Sequence, residues 1–383
     1  MRAATVTKTT HATVSICNDK TLPLERQPDG EGFYIHCVGG FRAADYGDGR
    51  WLIEPLLDNG HPCRKGFFAK NRLETFIRDT GLTAIALQRF GWREGHYYSS
   101  WAPIVPGRQN HMLGPSDLWI NISSNLATKR SGISPIADAF PTRETIAAMR
   151  DDRSDEEWLA LSLGLSLRSM DISVEQISEF YNEQLADLIS AGLTDGRQSG
   201  RAGDQALFSH VHSFFLHLGA ARDYLAALIA IRLGKSPQKV DSMTRLVEVL
   251  RARHFGTDSL LDLMKVKKFI EPNSEKPNRY AVSGWLKEAS DLRNQLVHRR
   301  PYGARHVEQF GHLVPIAAEA GLYRYVRPIL IEENSERDAI DVVVAHYRQS
   351  TGFFMDMAEA SGWDVSMMRL TDADIRSATL RNP

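Results

Sequence analysis

The spacing of apolar positions changes near the middle of the chain. Before about residue 125, turn residues separate four short apolar runs, which is the pattern of β-strands: 33–38, 51–57, 83–87 and 118–122. The stretch 71–80 has helical spacing instead and stops at Gly81. These patterns predict a mixed α/β domain over residues 1–128.

Residues 129–205 are predicted to form a linker, since their first part is rich in charge, Ser and Pro. Two pairs in this region have the spacing of a capping box, Ser154 with Glu157 and Ser173 with Gln176. They predict two packing helices inside the linker. Gly192 is expected to close the second.

From residue 206 the apolar spacing is helical. The stretch 206–233 has no proline, one glycine and few charges, so it is predicted to be a central helix covered from several sides. Further helical patterns complete an antiparallel bundle: 240–254, 259–269, 281–300 and 338–360. The bundle is assigned to residues 206–365, with an insertion at 301–337 and a tail at 366–383. The fold class predicted for the whole chain is α+β.

Composition limits the range of functions. The chain has 383 residues, 43% of them hydrophobic and 24% charged, as in ordinary globular proteins. Its net charge is −1, so any contact with nucleic acid needs a local basic patch. The three cysteines form no C-x-x-C pair that would indicate zinc or a disulfide framework, which predicts a reducing cytoplasm. No cofactor is predicted, since the chain has no P-loop, dinucleotide-binding glycine motif or H-E-x-x-H sequence. Every long apolar run is interrupted by charged or polar residues, so no membrane span is predicted.

The most informative side chains lie near the end of the predicted helix 281–300. At about 100° per residue, its core stripe consists of Trp285, Ala289, Leu292 and Leu296. Asn294 and His298, four residues apart, fall together on nearly the opposite face, and Arg293 lies between that face and the stripe. A guanidinium, an amide and an imidazole are therefore predicted to meet near a helix end, away from the core.

This arrangement resembles the signature of the HEPN family, in which an Arg is followed by a polar residue and, after four to six positions, a His. Here the matching residues are Arg293, Asn294 and His298. The resemblance extends from the long apolar helix, with the GAARDY sequence at 219–224, to the last helix at 346–363. It implies a metal-independent endoribonuclease whose site forms where two bundles pair in a homodimer. It also implies a role in toxin–antitoxin, abortive-infection or other antiviral defence, with an antitoxin or inhibitor as a further partner.

The residues themselves suit that chemistry. Metal-free RNA cleavage uses the 2′-hydroxyl as nucleophile, and a histidine such as His298 can take or give a proton at neutral pH. Arg293 can hold the non-bridging phosphate oxygens, and Asn294 can orient the phosphate or the imidazole. Arg299 and Arg300 would attract the RNA backbone. DNA lacks the required hydroxyl, so RNA is the predicted substrate.

The charged residues of the long helix are predicted to support this site. Arg222 and Asp223 are adjacent in an otherwise apolar helix, where charges need partners. Two other pairs have the same Arg-to-His spacing, but Pro301 and Gly303 argue against one continuous helix for either: Arg300 with His306, and Arg305 with His312.

Two alternatives to the nuclease remain open. The same helices could form a non-catalytic module that binds RNA or a protein. The N-terminal region could hold an enzyme of its own, although no catalytic set of residues can be named there.

Overall fold

The computed structural model describes residues 32–45, 50–58, 61–63, 67–69, 75, 77–93, 96–108, 113–131, 144, 153–276, 278–317, 321–332 and 335–367. The chain forms two compact units, each assembled from three stretches of sequence. Unit 1 comprises Met1–Ile104, Gln176–Asp204 and His306–Asp341; unit 2 comprises Val105–Glu175, Gln205–Arg305 and Val342–Pro383. These units do not follow the predicted boundaries at 128 and 205. The predicted class, α+β, is confirmed, since helices and antiparallel sheets are both present.

Unit 1 is built on a six-stranded antiparallel sheet with the order β6-β3-β2-β1-β7-β8. Its strands are β1 (Gly32–Cys37), β2 (Arg42–Asp45), β3 (Arg50–Glu54), β6 (Phe67–Ala69), β7 (Ala84–Arg93) and β8 (His96–Pro103). A separate small hairpin joins β4 (Leu56–Asp58) to β5 (His61–Cys63). The apolar runs at 33–38, 51–57 and 83–87 thus lie on strands, although the second is divided between β3 and β4. Half of the predicted helix at 71–80 lies outside the described residues; among the described ones, residues 75 and 77–79 are helical.

Most of the predicted insertion, 301–337, belongs to unit 1. It forms two hairpins, of which the first pairs β11 (His312–Ala317) with β12 (Leu322–Val326). The second pairs β13 (Pro328–Glu332) with β14 (Ser335–Asp338). Residues 322–331, in which apolar and polar positions weakly alternate, therefore lie mainly on strands β12 and β13.

The strand predicted at 118–122 was wrong. These residues lie inside helix α1 (Pro115–Ser131) of unit 2, where Leu118, Trp119 and Ile122 are all buried. Their spacing fits one face of a helix, and a proline at its first residue favours helix initiation. Because the run is apolar and contains β-branched residues, it resembles a strand, and its helical spacing is not apparent from the sequence.

The two helices predicted inside the linker are one 36-residue helix, α2 (Asp155–Ser190). Its start is as predicted, since the Glu157 amide donates to the Ser154 hydroxyl. Ser173 does not begin a second helix, because its hydroxyl instead donates to the carbonyl of Ser169, four residues earlier. At the other end, Gly192 adopts φ +68° and closes the helix as expected.

Unit 2 is mainly helical, and its longest complete helix is α3 (Gln205–Arg232). The others are α4 (Met243–Val249), α5 (Ser259–Val266), α6 (Gly284–Asn294) and most of α7 (Ala339–Ala360), with a hairpin of β9 (Ile270–Pro272) and β10 (Tyr280–Val282). Among the described helices, α3 alone is long and apolar enough to cross a membrane, and 61% of its most apolar window is buried inside the protein. Core burial accounts for such a composition equally well.

Helix α6 is shorter than the predicted 281–300. Residues Tyr280–Val282 form β10, and the α-helix ends at Asn294. Five residues of π-helix, Gln295–Arg299, follow, closed by a hydrogen bond from the Arg300 amide to the Gln295 carbonyl (2.7 Å). We call this segment the π turn. It changes the angular positions of residues after 294, which a constant rotation per residue does not predict.

Unit 2 buries a carboxyl group that has no cationic hydrogen-bond partner in the described structure. Asp171 is 4% exposed, and its oxygens accept hydrogen bonds from the hydroxyls of Tyr347 (2.5 Å) and Ser116 (3.2 Å). Burial raises the pKa of Asp171 from 3.8 to about 7, because the carboxylate loses its hydration. The folded state therefore holds a proton that the unfolded chain releases at lower pH.

We expect this proton to make stability pH-dependent. Because the folded pKa lies above the unfolded one, the stabilisation is present below pH 3.8 and is lost as pH rises towards 7. The loss attributable to Asp171 is about 4 kcal/mol at most. Urea unfolding of Asp171→Asn at pH 5 and pH 8 should show a smaller decline than in the wild type. Glu183→Gln, on an exposed position of the same helix, is the control, and an unchanged decline in Asp171→Asn would contradict the prediction.

Candidate functional site

Arg293 is directed towards α3 rather than away from the core. It occupies the last turn of α6, and its Nε atom lies 3.4 Å from where a Cβ on Gly219 would be. This is ordinary van der Waals distance, so Arg293 packs directly over the α3 backbone at Gly219. Three of the four residues predicted to form the core stripe of this helix are buried: Ala289, Leu292 and Leu296.

Arg293 shares a surface depression with Arg222 of α3. The depression has room for about one water molecule, and its accessible lining is mainly apolar and contains no carboxylate: Leu218, Gly219, Arg222, Trp285, Leu286, Ala289, Ser290 and Arg293. The Nε atoms of both arginines are buried and have no hydrogen-bond partner in the described structure. Two cations thus line one site without an acid among them, an arrangement that an anion would stabilise.

The predicted pairing of Arg222 with Asp223 is weak. Their side chains are adjacent, with Nη2 and Oδ1 3.4 Å apart, which is long for a charge-assisted hydrogen bond. The same Asp223 oxygen accepts a hydrogen bond from the Met243 amide (3.1 Å) at the start of α4. Asp223 therefore stabilises the beginning of α4 and neutralises Arg222 only in part.

The remaining predicted residues lie at the surface. Asn294 is exposed and accepts a hydrogen bond from Nη1 of Arg293 (3.1 Å), which brings the amide and the guanidinium together. His298 and Arg299 lie on the π turn, and Arg300 follows it; all three are exposed. No hydrogen bond to the His298 side chain is present among the described residues. The predicted set is thus divided between a half-buried Arg293 and exposed neighbours.

Contacts on both sides of the π turn hold it against α3. Before the turn, Arg293 packs beside Gly219, and after it the Tyr302 amide donates to Nε2 of His212 (2.9 Å). Within the turn, Leu296 is buried. These contacts fix the backbone from which His298 extends. A π-helical turn often marks a functional site, since it redirects side chains at the end of a regular helix.

The buried charges of unit 1 form networks of a different kind. Arg327 is fully buried and donates to Asp204 (2.8 Å) and to the Glu308 carbonyl (2.7 Å). His36, on strand β1 of the sheet, is also fully buried and is hydrogen-bonded to Gln88 (2.8 Å) and Ser178 (3.0 Å). The pKa of His36 is lowered to about 4, mainly by burial and also by the charge of the nearby Arg42. The hydrogen bond to Gln88 acts in the opposite direction. Because these groups bond mainly to the protein itself, they stabilise the fold of unit 1.

Sequence reasoning placed Arg222 beside the site of Arg293, and both residues line the same depression, but it missed the approach of Arg293 to Gly219. Gly219 and Arg222 belong to one motif of the long helix, but their position opposite Arg293 is a contact between segments that are far apart in the sequence. Helical spacing does not report such contacts. No three or more His, Cys, Asp or Glu side chains converge to hold a metal ion in the part of the chain that the structure describes.

Comparisons with protein-family models, with curated proteins and with solved structures found no match. The case for a function therefore depends on the geometry of this chain.

The Nε atom of Arg293, buried without a hydrogen-bond partner in the described structure, leads to a testable prediction. Replacing Arg293 with Met keeps the aliphatic stem and the helix propensity but removes a cation with a buried, unbonded Nε. We expect the free energy of unfolding to rise by about 1 kcal/mol, since an unsatisfied buried group costs roughly that much. Urea denaturation of the purified protein measures the change.

Arg327→Met is the matched control, because that arginine is buried but paired. Its loss should destabilise the protein by roughly 3–5 kcal/mol, since Asp204 remains buried without its cation. A clear destabilisation by Arg293→Met as well would indicate that Arg293 serves the fold and not a ligand.

Proposed function

We propose that unit 2 is a HEPN-like helical bundle that acts as a metal-independent endoribonuclease. The observation that carries the proposal is the depression between α3 and α6, where Arg222 and Arg293 lie together with no carboxylate in the lining. Two neighbouring arginines with no carboxylate between them form the kind of cationic group that attracts the phosphate of a nucleic acid. The exposed His298 on the adjacent π turn supplies a group that can transfer protons to and from RNA.

In the proposed reaction, Arg293 holds the non-bridging oxygens of the scissile phosphate, with Asn294 positioned by its hydrogen bond to the guanidinium. The 2′-hydroxyl attacks the adjacent phosphorus and the bond to the 5′-oxygen breaks. His298 accepts the hydroxyl proton or protonates the leaving oxygen. The products carry a 2′,3′-cyclic phosphate and a 5′-hydroxyl. Arg299 and Arg300, both exposed, would attract the flanking backbone.

A non-catalytic RNA-binding module is the second candidate. It is favoured by one observation: no described side chain hydrogen-bonds to His298, whereas a catalytic imidazole is usually oriented by a third group. A bound RNA or a second copy of the chain could provide that group. The two candidates differ in what the loss of His298 does, since binding would survive it and cleavage would not.

The proposal includes a cytoplasmic homodimer. The apolar circumference of α3 favours pairing at first sight, but most of its apolar residues are already buried within one chain. A better surface lies on α2, where Trp158, Leu165 and Ile172 are 45%, 53% and 51% exposed. Because they are seven residues apart, they fall on the same side of the helix, as in helices that pair. An antitoxin or inhibitor remains a further proposed partner.

We expect His298→Ala to lower the rate of RNA cleavage by at least about 100-fold, the usual contribution of a general acid or base. The assay uses purified full-length protein, 5′-labelled RNAs of varied sequence and EDTA throughout. Product ends are identified by their sensitivity to phosphatase before and after acid opening of the cyclic phosphate.

His306→Ala is the matched control, because His306 is also exposed and follows Arg300 at a similar spacing. Its activity should equal that of the wild type. Equal cleavage by His298→Ala and the wild type would exclude the proposed chemistry. RNA binding by a wild type that cleaves nothing would instead support the binding module.

The dimer is tested separately. Leu165→Glu should convert a particle of twice 43.0 kDa into one of 43.0 kDa in sedimentation velocity, since two buried like charges would oppose pairing. Val266→Glu changes an exposed apolar residue outside the α2 surface and should leave the mass unchanged. A wild type of 43.0 kDa would contradict the homodimer.

A further inference from the structure

A second concentration of positive charge lies in unit 2 beyond the end of α3. Lys235 follows that helix, and the short 3₁₀ turn Ala252–His254 follows α4. Nδ1 of His254 accepts a hydrogen bond from the Arg251 amide (3.0 Å), which holds the turn closed. Arg251 and Arg253 precede His254 in this turn, and the pKa of His254 is lowered mainly by partial burial and also by the charges of Arg253, Lys235 and Arg251. All three are exposed.

Nearby acidic groups are mostly engaged elsewhere. Glu248 pairs with Arg245 (2.9 Å). Asp258 pairs with Arg232, and Asp262 accepts a hydrogen bond from the Gly256 amide (2.7 Å). No ion pair to Lys235, Arg251 or Arg253 is present among the described residues. Nη1 of Arg251 donates to the backbone carbonyls of Glu248 (2.9 Å) and Leu250 (2.6 Å), whereas no hydrogen bond from the side chain of Lys235 or Arg253 is present among the described residues. The charges of Lys235 and Arg253 are therefore the most available to a ligand.

Aromatic rings lie beside these cations. Phe255, directly after His254, packs against Tyr280 of β10 with ring centroids 4.5 Å apart. Lys265 of α5 lies over the Phe255 ring at 4.8 Å. Both rings are half-buried, so each keeps an accessible part. Cations that follow a backbone, combined with rings on which bases can stack, are typical of surfaces that bind single-stranded nucleic acid.

We propose that these residues form an RNA-binding exosite, a surface that holds single-stranded RNA outside the site of Arg293 and His298. It consists of Lys235, Arg251, Arg253, Phe255, Lys265 and Tyr280. The exosite is connected to that site by α6, which begins two residues after β10 and carries Arg293 about 15 Å further along. An acidic protein surface would be attracted by the same charges, but it would not use the rings. The proposal rests on the proposed function in taking RNA as the ligand.

The test measures binding of a fluorescein-labelled, 2′-O-methylated 12-nucleotide oligouridine to the full-length protein by anisotropy, from 0.05 to 0.3 M salt. Methylation blocks the nucleophile, so binding is separated from cleavage. The double variant Lys235→Gln/Arg253→Gln should weaken binding about 25-fold at 0.1 M salt and reduce the salt slope by about 1.4, since each lost contact to a single strand accounts for about 0.7. Tyr280→Leu should weaken binding with little change in slope.

Arg197→Gln/Arg201→Gln is the charge-matched control, because it removes two exposed cations of unit 1 that pair with Asp195 and Asp187. It should bind as the wild type does. Equal weakening by both double variants, or none by Lys235→Gln/Arg253→Gln, would overturn the exosite. So would binding of polyglutamate with the same affinity and the same dependence on Lys235 and Arg253, which would indicate an acidic protein partner.

The exosite and the nuclease can fail independently. If exosite variants bind weakly while the wild type cleaves no RNA, the exosite stands and the nuclease proposal fails. If His298→Ala loses cleavage while exosite variants bind normally, the nuclease proposal stands and the exosite fails. A wild type that does not bind the oligonucleotide overturns the exosite directly.

Discussion

The apolar surface of α3 is the constraint on which unit 2 depends. A 28-residue helix with 14 buried residues has to be covered on most sides, because each exposed apolar side chain would forgo roughly 1.5–3 kcal/mol of transfer free energy. The α6 helix, the π turn and the loop through Tyr302 all contact it. Any charged group placed in this environment is costly unless it is compensated. Arg222 and Arg293 are therefore informative, since each has a buried Nε without a partner in the described structure.

The buried charges of the two units differ in how they are balanced. In unit 1, the charge of Arg327 is balanced by the carboxylate of Asp204, and that of Arg324, whose Nε is also buried without a hydrogen-bond partner in the described structure, by Asp338 and Asp341. In unit 2, the two arginines share a depression with no carboxylate in its lining. An internally compensated network specifies a fold, whereas an uncompensated one is a place where a ligand gains binding energy. The proposed phosphate site follows from that difference.

The proposed active site and the exosite place RNA contacts at different ends of the same short helix. Arg293 lies at the end of α6, and Tyr280 lies on the strand just before it begins. In this proposal, an RNA strand bound at both sites would have its scissile phosphate positioned partly by contacts far from the reacting atoms. This arrangement also reconciles a net charge of −1 with nucleic-acid binding, since the basic groups are concentrated locally.

Local patterns in the sequence determined the α+β class, the strands β1 and β7, the long helices α3 and α7 and the core stripe of α6, because periodicity reports directly which face is buried. Tertiary structure decided the rest. The run at 118–122 joined a helix, Ser173 became the interior of α2, and the insertion formed two hairpins that belong to unit 1, since burial against distant segments overrides local preference. The sequence singled out Arg293, Asn294 and His298, but only the fold turned Arg293 towards Gly219 and Arg222 and placed His298 on a π turn. Contacts between distant segments depend on how helices pack, and no spacing within one helix contains that information.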